Sequence, residues 1–399
     1  MAVYDVIVLG VGGMGSAAAY HLARRGARVL GLEQFGVAHD KGSSHARTRV
    51  IRQAYYEGPD YVPLLFRAYD LWHDLERAAG TTLLTRTGAL HLGAPEAEGV
   101  AGAALSARTH RIPHEMLDAA EIRKRYPVFR PQPGQVALLE YEAGILNPEQ
   151  CVSTHIDLAK RAGADLRFDE AVTSWTARPD RVSVRSARGT YEAGHLIVTA
   201  GSWAGQLLQN LGVPLEVTRA VLYWYEPRAR VEEFKRLPIY MWEDHGKYAY
   251  GFPYIEGQGL KVGFHHVFAE VTTPQTIRRQ VGDDEKARMR DHLASLMPDA
   301  AGSLLATATC MYTNTPDLHF IIDRHPAHEN VTVACGFSGH GFKFASVVGE
   351  VLADLALQGR TAQPIGLFAL NRFRSSGGLT RPLPRQAHVP GGGARRQAT

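Results

Sequence analysis

The stretch YDVIVLGVGGMGSAAAYHLARRGARVLGLE, residues 4–33, decides the predicted fold. Residues 4–10 are a short apolar, β-branched run that ends in glycine, which is typical of a buried parallel strand. An alanine-rich segment that favours a helix follows, and Gly26 ends it. Residues 29–32 predict a second strand. Strand, helix and strand within about 30 residues form a βαβ unit, which predicts an α/β fold with a parallel sheet.

The turn between the first strand and the helix carries a glycine pattern. Gly10, Gly12 and Gly15 form G-x-G-x-x-G, which permits a tight turn and lets the backbone approach a pyrophosphate at the helix N-terminus. Glu33 ends the second strand 18 residues after Gly15, where an acidic side chain can bind a ribose hydroxyl. The pattern predicts a dinucleotide site. It does not distinguish FAD from NAD(P), because both contain the same ADP half.

Later segments are of two kinds. HLIVTAGSWAG (195–205) and NVTVACGFSGHGF (330–342) are typical of further strands in the same parallel sheet, whereas residues 217–226 and 247–266 alternate as an antiparallel sheet does. Because the two kinds alternate along the chain, we predict a discontinuous nucleotide-binding domain with an inserted antiparallel substrate-binding domain. The first comprises residues 1–85, 145–215 and 308–375, and the second comprises residues 86–144 and 216–307.

Composition and charge exclude several classes of protein. The 399 residues exceed one ordinary core, and no apolar run approaches the roughly 18 residues of a membrane span. The net charge is +4, but the last 19 residues contain four arginines and no acid. The basic charge therefore belongs to a tail and not to a nucleic-acid-binding face. We predict that residues 376–399 are a disordered basic tail, because they lack an apolar pattern.

The three cysteines and the first residues bear on the compartment. We expect no signal peptide, because no basic region precedes the first apolar run. Three cysteines make neither a disulfide framework nor a zinc spacing, so we expect a reducing cytoplasm. In ATCMYTNTPD (307–316), the residues alone favour Cys310 as a small buried core residue.

Three segments place cations among apolar residues. In GSSHARTRVIRQAYYEG (42–58), we predict that Arg49 and Arg52 share a partly buried helix, where guanidinium groups require an anion, although a single arginine is more often solvated. In CGFSGHGFKFASVVGEVLADLALQG (335–359), Lys343 precedes a helix predicted from about residue 344 and ended by glycine. A cation is unfavourable at a helix start unless it binds an anion. His340, in the same loop, suits a pocket or a turn equally.

The segment GLKVGFHHVF (259–268) predicts a strand with Lys261 between apolar neighbours, although a strand lysine is usually solvated. His265 and His266 are adjacent, so on a strand they would point to opposite faces. We therefore predict no metal site.

Five stretches together resemble the monomeric sarcosine oxidase family of flavoenzymes, which includes N-methyltryptophan oxidase and the pipecolate oxidases. They are GVGGMG, GSSHARTRVIRQAYYEG, YGFPYIEGQGLKVGFHH, CMYTNTPDLHFIIDRHP and GFSGHGFKFAS. The resemblance extends to about residue 375. It implies a D-amino-acid-oxidase-like fold, in which a Rossmann-type FAD-binding domain carries an antiparallel substrate domain. It also implies FAD-dependent oxidation of the C–N bond of a secondary amino acid by O2, giving H2O2, in a monomer that binds neither nucleic acid nor membrane.

The resemblance further implies roles for individual residues. Cys310 matches the cysteine bonded to the 8α-methyl carbon of FAD, in preference to Cys335 beside the glycine loop. The predicted catalytic residues are Lys261, which promotes the reaction with oxygen, Arg49, His265 and Tyr250. The predicted substrate-binding residues are Arg52 and Lys343, which grip the carboxylate, with Tyr312, Met241 and His340. The predicted cofactor-binding residues are Gly10, Gly12, Gly15, Glu33, Ser43, Cys310, Gly339, Gly341 and Lys343.

The chain also departs from the family pattern. Ala46 and Arg47 stand where HGDTR is common, YMWEDHGKYAY differs from the sarcosine-specific members, and CMYTNTPD with the histidine doublet is closer to pipecolate oxidases. These departures concern the substrate and not the reaction. Two alternatives remain, namely a flavin dehydrogenase that passes electrons to a carrier and an NAD(P)-linked dehydrogenase.

Overall fold

The computed structural model describes residues 4–208 and 211–375. The predicted tail, residues 376–399, lies outside the described residues. The described strands are β1 (Tyr4–Leu9), β2 (Val29–Leu32), β3 (Arg49–Ile51), β4 (Leu84–Arg86), β5 (Ala89–Gly93), β6 (His114–Asp118), β7 (Val136–Glu140), β8 (Gly144–Leu146), β9 (Asp165–Arg167), β10 (Val172–Arg178), β11 (Arg181–Ser186), β12 (Thr190–Val198), β13 (Glu216–Glu226), β14 (Ile239–Asp244), β15 (Lys247–Ile255), β16 (Gly259–Phe264), β17 (Glu270–Thr272), β18 (Ser303–Asn314), β19 (Ile321–His325) and β20 (His328–Cys335). The described helices are α1 (Gly13–Arg24), α2 (Val62–Ala79), α3 (Glu98–His110), α4 (Ala119–Arg125), α5 (Pro148–Arg161), α6 (Ala204–Leu207), α7 (Val231–Lys235), α8 (Asp283–Leu296), α9 (Ala345–Gln358) and α10 (Arg372–Ser375). Within these two ranges, no helix is long and apolar enough to cross a membrane.

One sheet has eight strands and contains the predicted βαβ unit. Its order is β10-β11-β12-β1-β2-β9, with β20 beside β12 and β19 beside β20. β1 pairs in parallel with both β2 and β12, and β12 pairs in parallel with β20. The prediction that residues 195–205 and 330–342 contribute strands to the first sheet is therefore confirmed. Because these pairings are parallel, the carboxyl ends of β1, β12 and β20 lie at the same edge of the sheet.

Helices α1, α5 and α9 cover one face of the eight-stranded sheet. Residues Ala17, Ala18 and Ala19 of α1 are fully buried, as their small side chains allow close helix packing. A Cβ added to Gly349 of α9 would lie 2.5 Å from the Ala17 Cβ, so the two helices approach too closely for any larger residue. The prediction of a helix that glycine ends is also confirmed, because Gly359 follows α9 in a left-handed conformation with φ 72°.

The second sheet has nine strands and is mostly antiparallel. Its order is β17-β13-β16-β15-β14-β5-β7-β6, with β18 paired to β13. The predicted antiparallel segments form β13, β15 and β16, as expected from their alternation. The predicted domain boundary at residue 308 falls inside β18, and the division into two domains stays a proposal.

The predicted helix containing Arg49 and Arg52 is wrong. Arg49 begins β3, which pairs with β8 in a three-stranded sheet of order β3-β8-β4, and Arg52 follows the strand. The β-branched pair at residues 50 and 51 suits a strand, and the pairing with β8, far along the chain, decides the structure. On its other side β8 pairs with β4, and a Cβ on Gly144 of β8 would lie 2.2 Å from the Thr85 carbonyl oxygen, so a glycine there permits that close pairing.

The premise about the adjacent histidines is also wrong. β16 ends at Phe264, so His265 and His266 lie in the bend that follows the strand. His266 has a left-handed φ of 56°, which no strand residue adopts. Both rings lie near Tyr312, with ring centroids 5.6 and 5.4 Å away. Alternation along a strand therefore cannot decide their roles.

Candidate active site

The turn between β1 and α1 has the geometry of a dinucleotide cradle. Gly10 has φ 86°, and a Cβ on Gly15 would lie 1.8 Å from the Gly10 carbonyl oxygen. Glu33 is buried at the end of β2, and its carboxylate accepts the backbone N–H of Val11 at 2.9 Å and of Phe35 at 3.1 Å. The acid therefore holds the glycine turn, a structural role in addition to the predicted ribose contact.

A cavity of about 410 Å³ begins at this turn and is also lined by residues of the second sheet, such as Met241, Tyr250 and Lys261. Every predicted site residue lines it except Gly15, which packs inside the turn. The structure thus brings together residues that are more than 300 positions apart in the chain, from Gly10 to Lys343.

Cys310 lies on β18 beside a guanidinium group. Its Sγ is 3.7 Å from Arg49 Nη2, which also donates to the Ser43 carbonyl oxygen at 2.7 Å. The thiolate is the reactive form of cysteine, and Arg49 places a positive charge next to the sulfur. The rival Cys335 does not line the cavity, and burial raises its pKa to about 12. Of these two thiols, only Cys310 is therefore placed to react with a ligand in the cavity.

Lys261 is 2% exposed on β16, so it does not occupy the solvated face usual for a strand lysine. Its Nζ donates to the Ala46 carbonyl oxygen at 2.7 Å, the Thr48 carbonyl oxygen at 2.9 Å and the Thr48 hydroxyl at 3.0 Å. Burial, and then the charge of Arg49, lower the pKa of Lys261. Three acceptors nevertheless match the three hydrogens of an ammonium group, so we assign the charged form. Sequence reasoning did not identify these acceptors.

The segment that Lys261 contacts has a strained backbone. Ala46 and Arg47 have left-handed φ values of 77° and 69°. For residues other than glycine this conformation costs about 1–2 kcal/mol each. On the other side of the segment, the backbone N–H of Arg47 donates to both Glu149 oxygens, at 3.1 and 3.2 Å. Lys261 and Glu149 therefore hold this segment, which leads directly to Arg49.

Two buried cations lie at the far end of the cavity. Arg52 Nη2 donates to both Glu57 oxygens, at 2.9 and 2.7 Å, whereas Arg52 Nε and Nη1 are buried without a hydrogen-bond partner among the described residues. Lys343 Nζ donates to the His340 carbonyl oxygen at 2.7 Å. Burial, and then the charge of Arg52, lower the pKa of Lys343 to about 7 against the attraction of Glu57. Unpaired buried donors of this kind suit an anionic ligand.

Glu57 is a site residue that sequence reasoning missed. Burial alone would raise its pKa, but the charges of Arg52 and Lys343 lower it to about 2, so it is a carboxylate at neutral pH. It stands in the quoted segment YYEG, five residues after Arg52, and that proximity was the available signal. Glu57 compensates one of the two cations and leaves one positive charge for a ligand.

His340 is a neutral pocket residue. Its Nε2 is 3.1 Å from the Leu318 carbonyl oxygen, which can only accept, so Nε2 carries the hydrogen. Its Nδ1 then accepts from the Tyr55 hydroxyl, 2.5 Å away. Burial lowers the pKa of His340 to about 3, which agrees with this assignment. His340 therefore adds no positive charge to the pair of cations.

Aromatic side chains and one methionine form the walls between Cys310 and the two cations. The predicted residues Met241, Tyr250, His265 and Tyr312 all line this part of the cavity. Tyr56 and Tyr248 line it too, with ring centroids 5.2 Å apart, and were not predicted. Because β14 and β15 pair Met241 with Tyr250 across the antiparallel ladder, two of the walls come from neighbouring strands. The space suits an apolar group on a molecule whose carboxylate is held at one end.

Gly339→Ala is expected to weaken binding of an amino acid as well as stability. Gly339 has φ 79°, and an added Cβ would lie 2.6 Å from two carbons of the Tyr312 ring. Gly257→Ala is the matched control, because Gly257 has φ 72° but an added Cβ would meet nothing within 4 Å. Both variants should lose about 1–2 kcal/mol of unfolding free energy, measured by urea denaturation. Only Gly339→Ala should raise KM, and equal KM values in both variants would contradict the contact with Tyr312.

Similarity to known proteins agrees with a dinucleotide site and an amino-acid pocket in this cavity. The family model of FAD-dependent oxidoreductases matches residues 5–355. The chain therefore belongs to the family of FAD-dependent oxidoreductases that includes the monomeric sarcosine oxidases and N-methyltryptophan oxidases. It is 53% identical over 379 residues to the monomeric sarcosine oxidase of Streptomyces avermitilis, and the match covers 94% of this chain and 98% of the relative.

Two further comparisons agree with this membership. N-methyl-L-tryptophan oxidase of Citrobacter koseri is 36% identical over 373 residues, which cover 93% of this chain and 99% of the relative. The solved structure of NikD, described as an unusual amino acid oxidase essential for nikkomycin biosynthesis, in its open form, superposes with a TM-score of 0.80 at 26% identity, and covers 92% of this chain and 97% of that chain. The predicted family, the D-amino-acid-oxidase-like fold and FAD as the dinucleotide are confirmed.

Proposed function

We propose that this protein oxidises the C–N bond of an N-methyl or other secondary amino acid to an imine and passes the electrons to O2, which yields H2O2. The observation that carries the proposal is the two unpartnered donors of the buried Arg52 guanidinium, Nε and Nη1, in the same cavity as Lys343 and Cys310. Hydrogen bonds between a guanidinium group and a carboxylate are charge-assisted and strong, and Arg52 Nε and Nη1 are each a buried donor that a carboxylate could bind. The names of the relatives at 53% and 36% identity support the same class of substrate.

The cavity residues fit FAD. A Cβ on Gly12 would meet nothing within 4 Å, so the backbone of the glycine turn is open towards the cavity. We propose that Gly10, Gly12, Glu33 and Ser43 hold the cofactor and that Cys310 binds it covalently. FAD would supply the acceptor for the two electrons and the hydrogen that leave the amino acid.

The protein's own residues orient the substrate. Arg52 and Lys343 fix the carboxylate, and the walls around Tyr250 and Tyr312 place the amine, so that positioning supplies much of the acceleration. Water then hydrolyses the imine to a primary amine and an aldehyde, which for sarcosine are glycine and formaldehyde. We propose that Lys261 stabilises the negative charge that develops on oxygen during its reduction to peroxide.

The oligomeric state of the protein and its location in the cell are also part of the proposal. The name of the Streptomyces avermitilis relative supports a monomer. We propose the cytoplasm because Cys151, Cys310 and Cys335 form no disulfide, which suits a reducing compartment.

Binding of a simple carboxylate should weaken as the pH rises through about 7. Lys343 binds an anion only when protonated, and its pKa is lowered to about 7. Affinity should therefore be full below this pH and fall by up to about tenfold per pH unit above it. The measurement is the dissociation constant of propanoate between pH 6 and 9, followed through the flavin absorption spectrum. Propanoate stays ionised throughout this range, so its own titration does not contribute.

Lys343→Met is the control for the pH dependence. It should bind propanoate more weakly than the wild type at low pH and show no fall around pH 7. A pH-independent dissociation constant in the wild type, or an unchanged fall in Lys343→Met, would remove Lys343 from the carboxylate site.

The proposed function is tested by peroxide production in air. Sarcosine, N-methyltryptophan, pipecolate and proline are supplied at matched concentrations, and peroxide from any of them supports the oxidase. Bleaching of the flavin by one of them without peroxide would indicate a dehydrogenase that passes electrons to a carrier. If none of the four compounds bleaches the flavin or yields peroxide, the proposed class of substrate is refuted.

A further inference from the structure

We propose that Glu140 is a positioning residue for the substrate carboxylate, because its carboxylate fixes the backbone that immediately follows Arg52. The inference deepens the proposed function, since it concerns how the guanidinium group is aimed. Glu140 is the last residue of β7 in the nine-stranded sheet and does not line the cavity. It would therefore act through Arg52 and without touching the substrate.

The contact joins two distant parts of the chain. The backbone N–H of Gln53 donates to Glu140 Oε1 at 2.5 Å, and the backbone N–H of Ala54 donates to Oε2 at 2.9 Å. Gln53 and Ala54 are the first two residues after Arg52, and both partners lie 86 or more positions from Glu140. Each oxygen accepts one of two consecutive N–H groups, so the carboxylate fixes the direction in which the chain leaves Arg52.

The segment after Arg52 supplies two aromatic rings that pack against the Arg52 side chain. The guanidinium carbon of Arg52 is 4.3 Å from the centroid of the Tyr55 ring and 4.7 Å from that of Tyr56. The Tyr55 carbonyl oxygen accepts the hydroxyl of Ser106 at 2.6 Å, which holds the segment at a second point. A shift of the backbone at residues 53 and 54 would therefore move both the guanidinium group and the rings that support it.

The carboxylate group itself is needed for this contact. An amide offers one acceptor oxygen, and its NH2 would face the second backbone N–H as donor against donor. Glu140 is 0% exposed, and burial, with a smaller effect of the Glu142 charge, raises its pKa to about 7 against the two N–H groups and the charge of Arg52. Because each oxygen accepts an N–H group, we assign the ionised form. A fully buried acid thus lies beside the substrate-binding cation, and both its oxygens bind this segment.

The chain offers a matched control in Glu76 on α2. Its Oε1 accepts two consecutive backbone N–H groups, of Leu83 at 2.7 Å and Leu84 at 2.9 Å. None of these three residues lines the cavity. Glu76→Gln therefore makes the same change of a backbone-binding carboxylate to an amide away from Arg52, but its remaining oxygen can still accept both N–H groups.

The experiment compares Glu140→Gln and Glu76→Gln as FAD-loaded full-length proteins. Glu140→Gln is expected to raise the dissociation constant of propanoate and the KM for the amino acid about tenfold, which is the size of a lost buried hydrogen bond, with kcat little changed. Glu76→Gln removes a charge but can keep both backbone hydrogen bonds, so it should change neither constant. In an Arg52→Met background, Glu140→Gln should change the dissociation constant no further, because the group that Glu140 positions is gone.

Several outcomes would overturn the positioning role. The role is refuted if Glu140→Gln leaves the dissociation constant of propanoate unchanged or lowers it. It is also refuted if Glu140→Gln raises this constant by the same factor in the Arg52→Met background as in the wild type. If Glu140→Gln does not fold, Glu140→Asp is compared instead, since it keeps the charge but shortens the side chain by one methylene. Failure of both to fold would mark Glu140 as a folding residue only. Because propanoate binding is read from the spectrum, the result stands even if no amino acid is oxidised, which would refute the proposed function alone.

Discussion

Cys310→Ala is expected to release all of the flavin when the protein is precipitated with acid, whereas the wild type should keep the yellow chromophore on the polypeptide. The thiol is the cavity-lining cysteine, and Arg49 Nη2 lies 3.7 Å from its sulfur. Forming the bond removes one hydrogen from the thiol and one from the 8α-methyl group of FAD. The two electrons pass to O2, which becomes H2O2, so the step balances without another reagent.

The other cysteines supply the controls for covalent attachment. Cys335→Ala and Cys151→Ala alter buried thiols that do not line the cavity, and burial raises the pKa of both. Both variants should keep the chromophore after precipitation. A colourless wild-type pellet, or a chromophore retained in Cys310→Ala, would show that Cys310 does not bind FAD covalently. The absorbance of pellet and supernatant measures the two fractions directly.

Lys261→Met is expected to slow reoxidation of the reduced flavin by O2 about 100- to 1,000-fold, the range seen when one group that stabilises developing charge is removed. Reduction by the amino acid should change little, because the proposed carboxylate-binding residues, Arg52 and Lys343, remain. Stopped-flow spectroscopy measures the two half-reactions separately. Equal slowing of both would remove Lys261 from the oxygen reaction.

Two further variants separate the charge of Lys261 from its hydrogen bonds. Lys261→Arg keeps a buried cation, and Thr48→Val removes the hydroxyl that lies 3.0 Å from Nζ but leaves both carbonyl acceptors. If charge is decisive, both should reoxidise much faster than Lys261→Met. If Thr48→Val were as slow as Lys261→Met, the hydrogen bonds and not the charge would account for the effect.

Local patterns were sufficient for the βαβ unit and the glycine-ended helix α9. Each of these elements is set by residues that are close together in the chain: an apolar run for the strands, small residues for the first helix, and a glycine that ends each helix. Both elements could therefore be predicted from local sequence alone. The helix predicted around Arg49 and Arg52 is wrong because β3 depends on pairing with β8, about 95 residues later, and no local pattern carries that information.

The cations and the thiol of the site could be predicted from the sequence, but the hydrogen bonds that hold them could not. Lys261, Lys343 and Cys310 are polar or reactive residues among apolar neighbours, and the resemblance to a family gave them roles. The partners of Lys261 lie 213 and 215 positions away, and those of Glu140 lie 86 and 87 positions away. Such pairs become visible only when the two sheets are assembled, because hydrogen bonds across the fold leave no spacing in the sequence.

The left-handed backbone at Ala46 and Arg47 has a consequence for how lysine variants are interpreted. The three hydrogen bonds of Lys261 offset a conformation that alanine and arginine adopt only at a cost. A neutral replacement of Lys261 therefore removes the charge and these three hydrogen bonds together, and the segment that leads to Arg49 loses one of its supports. Introducing Ala46→Gly and Arg47→Gly first would remove this cost at both positions, because glycine adopts the left-handed conformation freely. The electrostatic contribution is then obtained by removing Lys261 in that background, where shape and charge are uncoupled.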